Sequence, residues 1–174
     1  MWSIEAGRLL RVFRGHKGAV TSLSFSPRNT EMISGGTDKN VILWSLETNN
    51  IRKLTGHFDT VTAITYSHDG STAISGAKDC LVKLWDTKSG KEIFTFAGHK
   101  KSITSVAFSP NGKLGLSTSL DGTMRLWCLS KGCALQVFAT DRALLTGRFC
   151  GNEIWACNNS MIPVVYHFNL EHNL

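Results

Sequence analysis

Three residue types that together can hydrolyse esters and amides return at fixed spacing along this chain. His16, His57 and His99 each follow a glycine, at Gly15, Gly56 and Gly98. Ser34, Ser75 and Ser117 stand 18 residues after those histidines, and Asp38, Asp79 and Asp121 stand 22 residues after them. A histidine base, a serine nucleophile and an orienting aspartate are the parts of a hydrolase triad. The repetition argues against that chemistry. A triad needs one nucleophile held by one base beside one oxyanion hole. Here the set occurs three times at identical offsets, each time with a tryptophan (Trp44, Trp85 or Trp127) 28 residues after its histidine. Repetition of this kind points to a structural motif, and no catalytic residue is assigned.

The other reactive side chains are scattered. His68, His167 and His172 stand alone and make no metal-binding spacing such as HxxxH. The five cysteines, Cys80, Cys128, Cys133, Cys150 and Cys157, contain no CxxC pair. Their odd number and loose spacing fit neither a disulfide framework nor a structural zinc site. Free, mostly buried thiols in a reducing compartment are the expectation. Gly70–Lys78 (GSTAISGAK) has the wrong spacing for a phosphate loop and lacks the GK[ST] ending. No metal or other cofactor is expected.

The totals set bounds. With 174 residues the chain is long enough for one domain with a core. Its 42% hydrophobic and 18% charged residues are typical of soluble globular proteins. No apolar run approaches about 18 residues, so no membrane span is predicted. The opening MWSIEAGRLLRVFRGH lacks the pattern of a secretory signal. An intracellular, cytoplasmic location is expected, with nucleus or cilium compatible. The net charge of +6 favours acidic partners over basic ones. Lysines and arginines are scattered with no run of five, so nucleic-acid binding is permitted but not indicated.

The elements that position the repeated residues are short strands. The first full unit has four β-prone runs, Ala19–Ser26, Met32–Gly36, Asn40–Ser45 and Ile51–Leu54, rich in Val, Ile, Leu, Thr and Phe. Turn chemistry separates them: Pro27-Arg28-Asn29 in the first unit, Asp69-Gly70 in the second and Asn111-Gly112 in the third. Convincing helical periodicity is absent. The tryptophans lie 41 and 42 residues apart. A unit of four short strands at that period cannot bury its faces alone. Stacking small antiparallel sheets radially covers both faces, which points to a β-propeller.

The residues resemble the WD-repeat propeller family, with high specificity over residues 15 to about 138. Trp85-Asp86 is a literal Trp-Asp pair, whereas Ser45 follows Trp44 and Cys128 follows Trp127. The resemblance implies a hydrogen-bonded clamp in each blade, running from the Trp indole through Ser and His to Asp. The clamp residues are His16, Ser34, Asp38 and Trp44; His57, Ser75, Asp79 and Trp85; and His99, Ser117, Asp121 and Trp127. The resemblance also implies blades with repeats at 15–55, 56–97 and 98–139. Family propellers usually have about seven blades.

Both ends depart from the pattern. Trp2 lies 14 residues before His16, as Trp85 does before His99, so the chain starts inside the third strand of an earlier blade (1–14). Gly7–Phe13 would be that blade's outermost strand. At the other end, Phe168 stands 41 residues after Trp127. The matching offsets fall on Thr140, Asn158 and Ile162, so the signature is lost in a degenerate repeat over 140–174. Strands are expected there near Leu144–Phe149, Ile154–Cys157 and Pro163–Phe168. The expected architecture is all-β: about four four-stranded blades forming an open arc of a larger propeller. The leading strand and the trailing three could also close a four-bladed ring, at a wide angle between sheets. An open arc would leave bare faces available for self-association.

Repeated aromatic positions read as core packing: Phe25, Tyr66 and Phe108 share one, Phe13 and Phe96 another. Loops between units and turns after the second strands gather on one face. Lys17, Lys39, Lys78, Lys100 and Lys101, with Asp59 among them, are the candidate partner-binding residues on that face. The resemblance implies a non-catalytic scaffold that binds protein partners, an acidic peptide among the candidates. An RNA-associated propeller and a fragment of a large ciliary WD-repeat protein, suggested by the closing VVYHFNLEHNL, are the alternatives. Trp85-Asp86-Thr87-Lys88 ends in lysine where ubiquitin-ligase adaptors of the family have arginine, which argues against that role.

Overall fold

A computed structural model describes residues 1–48, 50–151, 153–160 and 163–167. The chain is built from strands and turns. β1 (Trp2–Ser3) and β2 (Arg8–Leu9) form a short two-stranded ribbon. Blade 1 follows as β3 (Val20–Phe25), β4 (Glu31–Gly36), β5 (Val41–Ser45) and β6 (Ile51–Leu54). Blade 2 comprises β7 (Val61–Tyr66), β8 (Thr72–Ala77), β9 (Val82–Asp86) and β10 (Glu92–Phe96). Blade 3 comprises β11 (Ile103–Phe108), β12 (Leu114–Ser119), β13 (Thr123–Cys128) and β14 (Cys133–Ala139). A fourth sheet holds β15 (Leu144–Cys150), β16 (Glu153–Asn158) and β17 (Pro163–His167). Every pairing is antiparallel and between strands consecutive in sequence.

The expected strands of blade 1 match these within a residue at each end. The turns do what their residues require. Asn29, Gly70 and Gly112 occupy equivalent positions with φ of 54°, 75° and 70°, a left-handed conformation that Asn and Gly tolerate best. Phe168 and Ile162 lie outside the described residues, as does His172.

The sheets stack in a row. β3 packs on β7, β7 on β11 and β11 on β15, while β15 and β3 do not pack together. The core therefore lies between sheets. Ile33, Val41, Leu43 and Leu54 of blade 1 meet Val61, Ile64, Tyr66 and Trp85 of blade 2. Ile74, Val82, Leu84 and Phe96 meet Ile103, Val106, Phe108 and Trp127 at the next joint. Leu114, Leu116, Met124 and Leu126 meet Leu144, Ile154 and Ala156 at the third. The arrangement is an open arc of propeller blades.

Three expectations need correction. Gly7–Phe13 is not one long strand: only Arg8–Leu9 pairs, with β1, because the rest of a sheet that would hold the segment straight is not beside it. Phe25 is not core, being 51% exposed where Tyr66 and Phe108 are 6%. No blade covers the first sheet, so its repeat position faces solvent. The thiols are all free, but only Cys128 is buried; Cys133 and Cys150 are exposed on outer or end positions of their strands.

Candidate binding face

Each blade carries one polar chain through its interior. In blade 1, Trp44 Nε1–H donates to Ser34 Oγ at 2.8 Å, Ser34 Oγ lies 2.8 Å from His16 Nε2, and His16 Nδ1 lies 2.9 Å from Asp38. Blade 2 repeats this with Trp85–Ser75 at 2.8 Å, Ser75–His57 at 2.8 Å and His57–Asp79 at 2.8 Å. Blade 3 repeats it with 2.8 Å, 2.7 Å and 3.0 Å for Trp127–Ser117, Ser117–His99 and His99–Asp121. Only one proton arrangement satisfies every atom. The indole N–H must donate, so the serine oxygen accepts it and sends its own proton to Nε2. The histidine is then neutral and donates from Nδ1 to the carboxylate.

The glycines before the first two histidines follow from this packing, whereas a Cβ at Gly98 would meet the Arg125 guanidinium. A Cβ at Gly15 would sit 2.8 Å from the edge of the Trp44 ring, and one at Gly56 would sit 3.1 Å from Trp85. The backbone must approach the indole that closely for the histidine to reach its serine.

Each aspartate also receives two backbone N–H groups. Asp38 accepts from Lys17 at 2.8 Å and Asn40 at 3.3 Å. Asp79 accepts from Phe58 at 2.9 Å and Leu81 at 3.0 Å. Asp121 accepts from Lys100 and Thr123, both at 2.8 Å. One carboxylate thus ties the loop after the histidine to the turn between the second and third strands. Burial pushes the Asp38 carboxyl up, but the Lys17 N–H, His16 and Asn40 outweigh it and bring it down to about 2. Burial is likewise overcome at Asp121, by the Lys100 N–H, Thr123 and His99, which also leave it at about 2. Asp79 is shifted down for the same reasons. Burial holds the His99 imidazole below its ordinary range despite the pull of Asp121.

The serines cannot serve as nucleophiles in this arrangement. Ser34 is 2% exposed and Ser75 and Ser117 are fully buried, and each hydroxyl has both neighbours in place. Among the described residues no group of three His, Cys, Asp or Glu side chains is placed to hold a metal ion.

What the aspartates fix is the surface above them. Lys17 and Lys100 directly follow the clamp histidines, and Lys39 and Lys78 flank the clamp aspartates. Lys101 and Asp59 sit one position further along the same loops. All six are exposed. The structure brings them to one end of the sheets, where each inner strand begins and each second strand ends. Two apolar residues join them that the sequence reading missed: Phe58, 73% exposed, and Leu120, 41% exposed. Phe58 occupies the position of Lys17 and Lys100, which is the signal that could have found it.

A second repeat also went unread. Thr21, Thr62 and Thr104 stand at equivalent positions. Thr62 Oγ1 lies 2.7 Å from the Ile103 carbonyl of the next blade, and Thr104 Oγ1 lies 2.8 Å from that of Leu144. Thr21 makes the same contact to Val61. These hydroxyls stitch neighbouring inner strands together. The fourth sheet has Leu145 at this position, which carries no hydroxyl.

Comparison with known proteins agrees with this geometry. The family model "WD domain, G-beta repeat" matches residues 7–45, 48–86 and 90–128, more than half of the chain. The chain belongs to the WD40 repeat family. Individual WD-repeat relatives match over about one repeat. The Periodic tryptophan protein 2 homolog of Schizosaccharomyces pombe is 44% identical over 46 residues, 26% of this chain and 5% of that protein. Protein ANTHESIS POMOTING FACTOR 1 of Arabidopsis thaliana is 47% identical over 47 residues, 27% of this chain and 14% of that protein. The matches thus span a small part of these curated relatives. Among solved structures, the computationally designed Ika4 protein superposes with a TM-score of 0.85 at 28% identity, covering 94% of this chain and 99% of that one. WD40 propellers are in general non-catalytic and bind protein partners.

Proposed function

We propose that this chain is a non-catalytic scaffold whose loop face binds an acidic peptide segment of a protein partner, inside the cell. One observation carries the reading. Five exposed lysines cluster with Phe58 and Leu120 on loops that the aspartate hydrogen bonds hold in place. Positive charge beside an exposed ring suits a segment with carboxylates and one apolar anchor. Loops already ordered by buried polar chains lose little freedom on docking.

The test is fluorescence anisotropy with a labelled Asp- and Glu-rich peptide containing one aromatic residue. Lys100→Glu with Lys101→Glu should weaken binding about tenfold, the effect of two rim charge reversals. Lys53→Glu, on the outer strand β6, should leave it unchanged. Equal loss from both variants would sink the loop-face assignment. Tighter binding to single-stranded RNA than to the peptide, with a steep salt dependence, would favour the RNA-associated reading.

A further inference from the structure

Three side chains of the loop face share one repeated position. Lys17, Phe58 and Lys100 directly follow the clamp histidines of blades 1, 2 and 3. Each is fixed in the same way, its backbone N–H donating to the clamp aspartate of its own blade at 2.8, 2.9 and 2.8 Å. All three side chains are exposed. The face therefore presents a cation, a ring and a cation on three consecutive blades. β7 packs on β3 on one side and on β11 on the other. The step from each of these side chains to the next is therefore about the 10 Å spacing of packed sheets.

The charges around these positions follow the same order. Blade 1 adds Lys39 to Lys17, and blade 3 adds Lys101 to Lys100. Blade 2 differs, because its Lys78 is offset by Asp59. The Lys78 N–H donates to the Thr60 carbonyl at 2.9 Å, and the Thr60 N–H donates to Asp59 at 2.6 Å, so the two charges belong to one local network. Asp59 also adjoins Phe58 in the chain, and its carboxylate repels another brought close to the ring. Carboxylates of a ligand are thus drawn to blades 1 and 3 and kept away from the ring between them. Leu120 is the other exposed apolar residue of this face. It precedes a clamp aspartate and shares its position with Thr37 and Lys78, so it stands at the end of its row and not between two lysines.

We propose that the loop face reads the spacing of its ligand: an acidic residue over blade 1, an apolar residue on Phe58 and an acidic residue over blade 3, at steps of three residues. A polyproline II segment returns a side chain to the same face every three residues, over about 9 Å, which matches the blade step. A β-strand returns one every two residues, over about 7 Å, and falls short of the lysines. An extended segment of the first kind lies across the blades with its anchor at the neutral centre and its charges at the two cationic ends. This inference rests on the acidic-peptide reading of the loop face and adds the register of the peptide.

Two labelled peptides of identical composition test the register by fluorescence anisotropy. One carries glutamate three residues before and three residues after a central phenylalanine, with alanine elsewhere. The other carries both glutamates directly beside the phenylalanine. The spaced peptide should bind about fivefold tighter, the effect of two rim ion pairs. Equal binding overturns the register and leaves the acidic-peptide reading standing, whereas binding of neither overturns both. Phe58→Ala should weaken the spaced peptide about tenfold, as expected for loss of an aromatic anchor. This variant keeps the backbone N–H that Asp79 accepts, and the ring is 73% exposed, so its melting temperature should match the parent. A loss under twofold overturns Phe58 as the anchor. Charge exchange reads the ends. Lys17→Glu with Lys39→Glu should weaken the spaced peptide, and replacing one of its two glutamates by lysine should restore binding for one of the two such peptides. Recovery by neither overturns the placing of the outer carboxylates on blades 1 and 3.

Discussion

At the scale of single residues, the clamp chains leave no spare partner. Ser75 receives Trp85 and faces His57, and all three are buried. Ser75→Ala leaves the indole N–H and the imidazole nitrogen unsatisfied, at about 1–3 kcal/mol for each buried orphan. Urea unfolding followed by tryptophan emission should show that loss, and a change under about 0.5 kcal/mol would mean that water or a rearrangement replaces the hydroxyl. The same groups set a pH dependence. His99 titrates lower in the folded chain than its ordinary 6.5. Below that pH the unfolded chain takes up a proton that the folded chain resists, so stability falls as pH drops. Asp38 and Asp121 add a second loss as pH falls from 3.8 toward about 2, where their folded forms are finally protonated. Melting temperature should therefore decline in two stages on acidification; a rise between neutrality and pH 6.5 or below would contradict the neutral-histidine assignment. The identities of the clamp residues were legible because rare residue types, Trp and His, recur at fixed offsets. The threonine contacts were not, because threonine is ordinary in any strand and periodicity alone does not mark one as bonded.

At the scale of elements, equal positions in different sheets differ in what covers them. Phe108 is buried between blades 2 and 3, and Phe108→Ala should cost about 3–5 kcal/mol. Phe25 holds the same repeat position on the uncovered face of blade 1, and Phe25→Ala should stay within about 0.5 kcal/mol. Similar losses for both would mean that this face is covered in solution. The inner-strand stitches give a second comparison. Thr62→Val keeps the shape but removes the hydroxyl that reaches Ile103, and should cost about 1 kcal/mol by equilibrium unfolding. Leu145→Thr, at the matching position of the fourth sheet, where the side chain is exposed, should change little. Strand positions in the full repeats could be read closely, since alternation and turn residues agreed. The N-terminal strand was over-read, because Gly7–Phe13 has the composition of a strand but only β1 to pair with. At the other end Asn158 takes the serine position and remains buried, its side chain capping the Ser160 N–H. The signature there is lost in residue type while the buried polar site persists, which no residue pattern would disclose.

At the scale of the whole molecule, the number of sheets and their openness were legible in the repeat count, while the exposure of the apolar residues on the first and fourth sheets needed coordinates. Offsets place Trp2 and Phe13 in a repeat, but only the packing of Phe13 on Trp44 shows that the leading segment keeps its place without a blade beneath it. The row of sheets has a further consequence. Each sheet touches only its neighbours, so the energy of the arc is close to a sum of sheet and joint contributions. Such a chain unzips rather than unfolding all at once. Blade 1 and the fourth sheet, each supported on one side, are the fraying ends, and blades 2 and 3 are the last to open. Amide exchange in dilute solution should be slowest in β8, β9, β12 and β13 and faster outward from them, in a graded series.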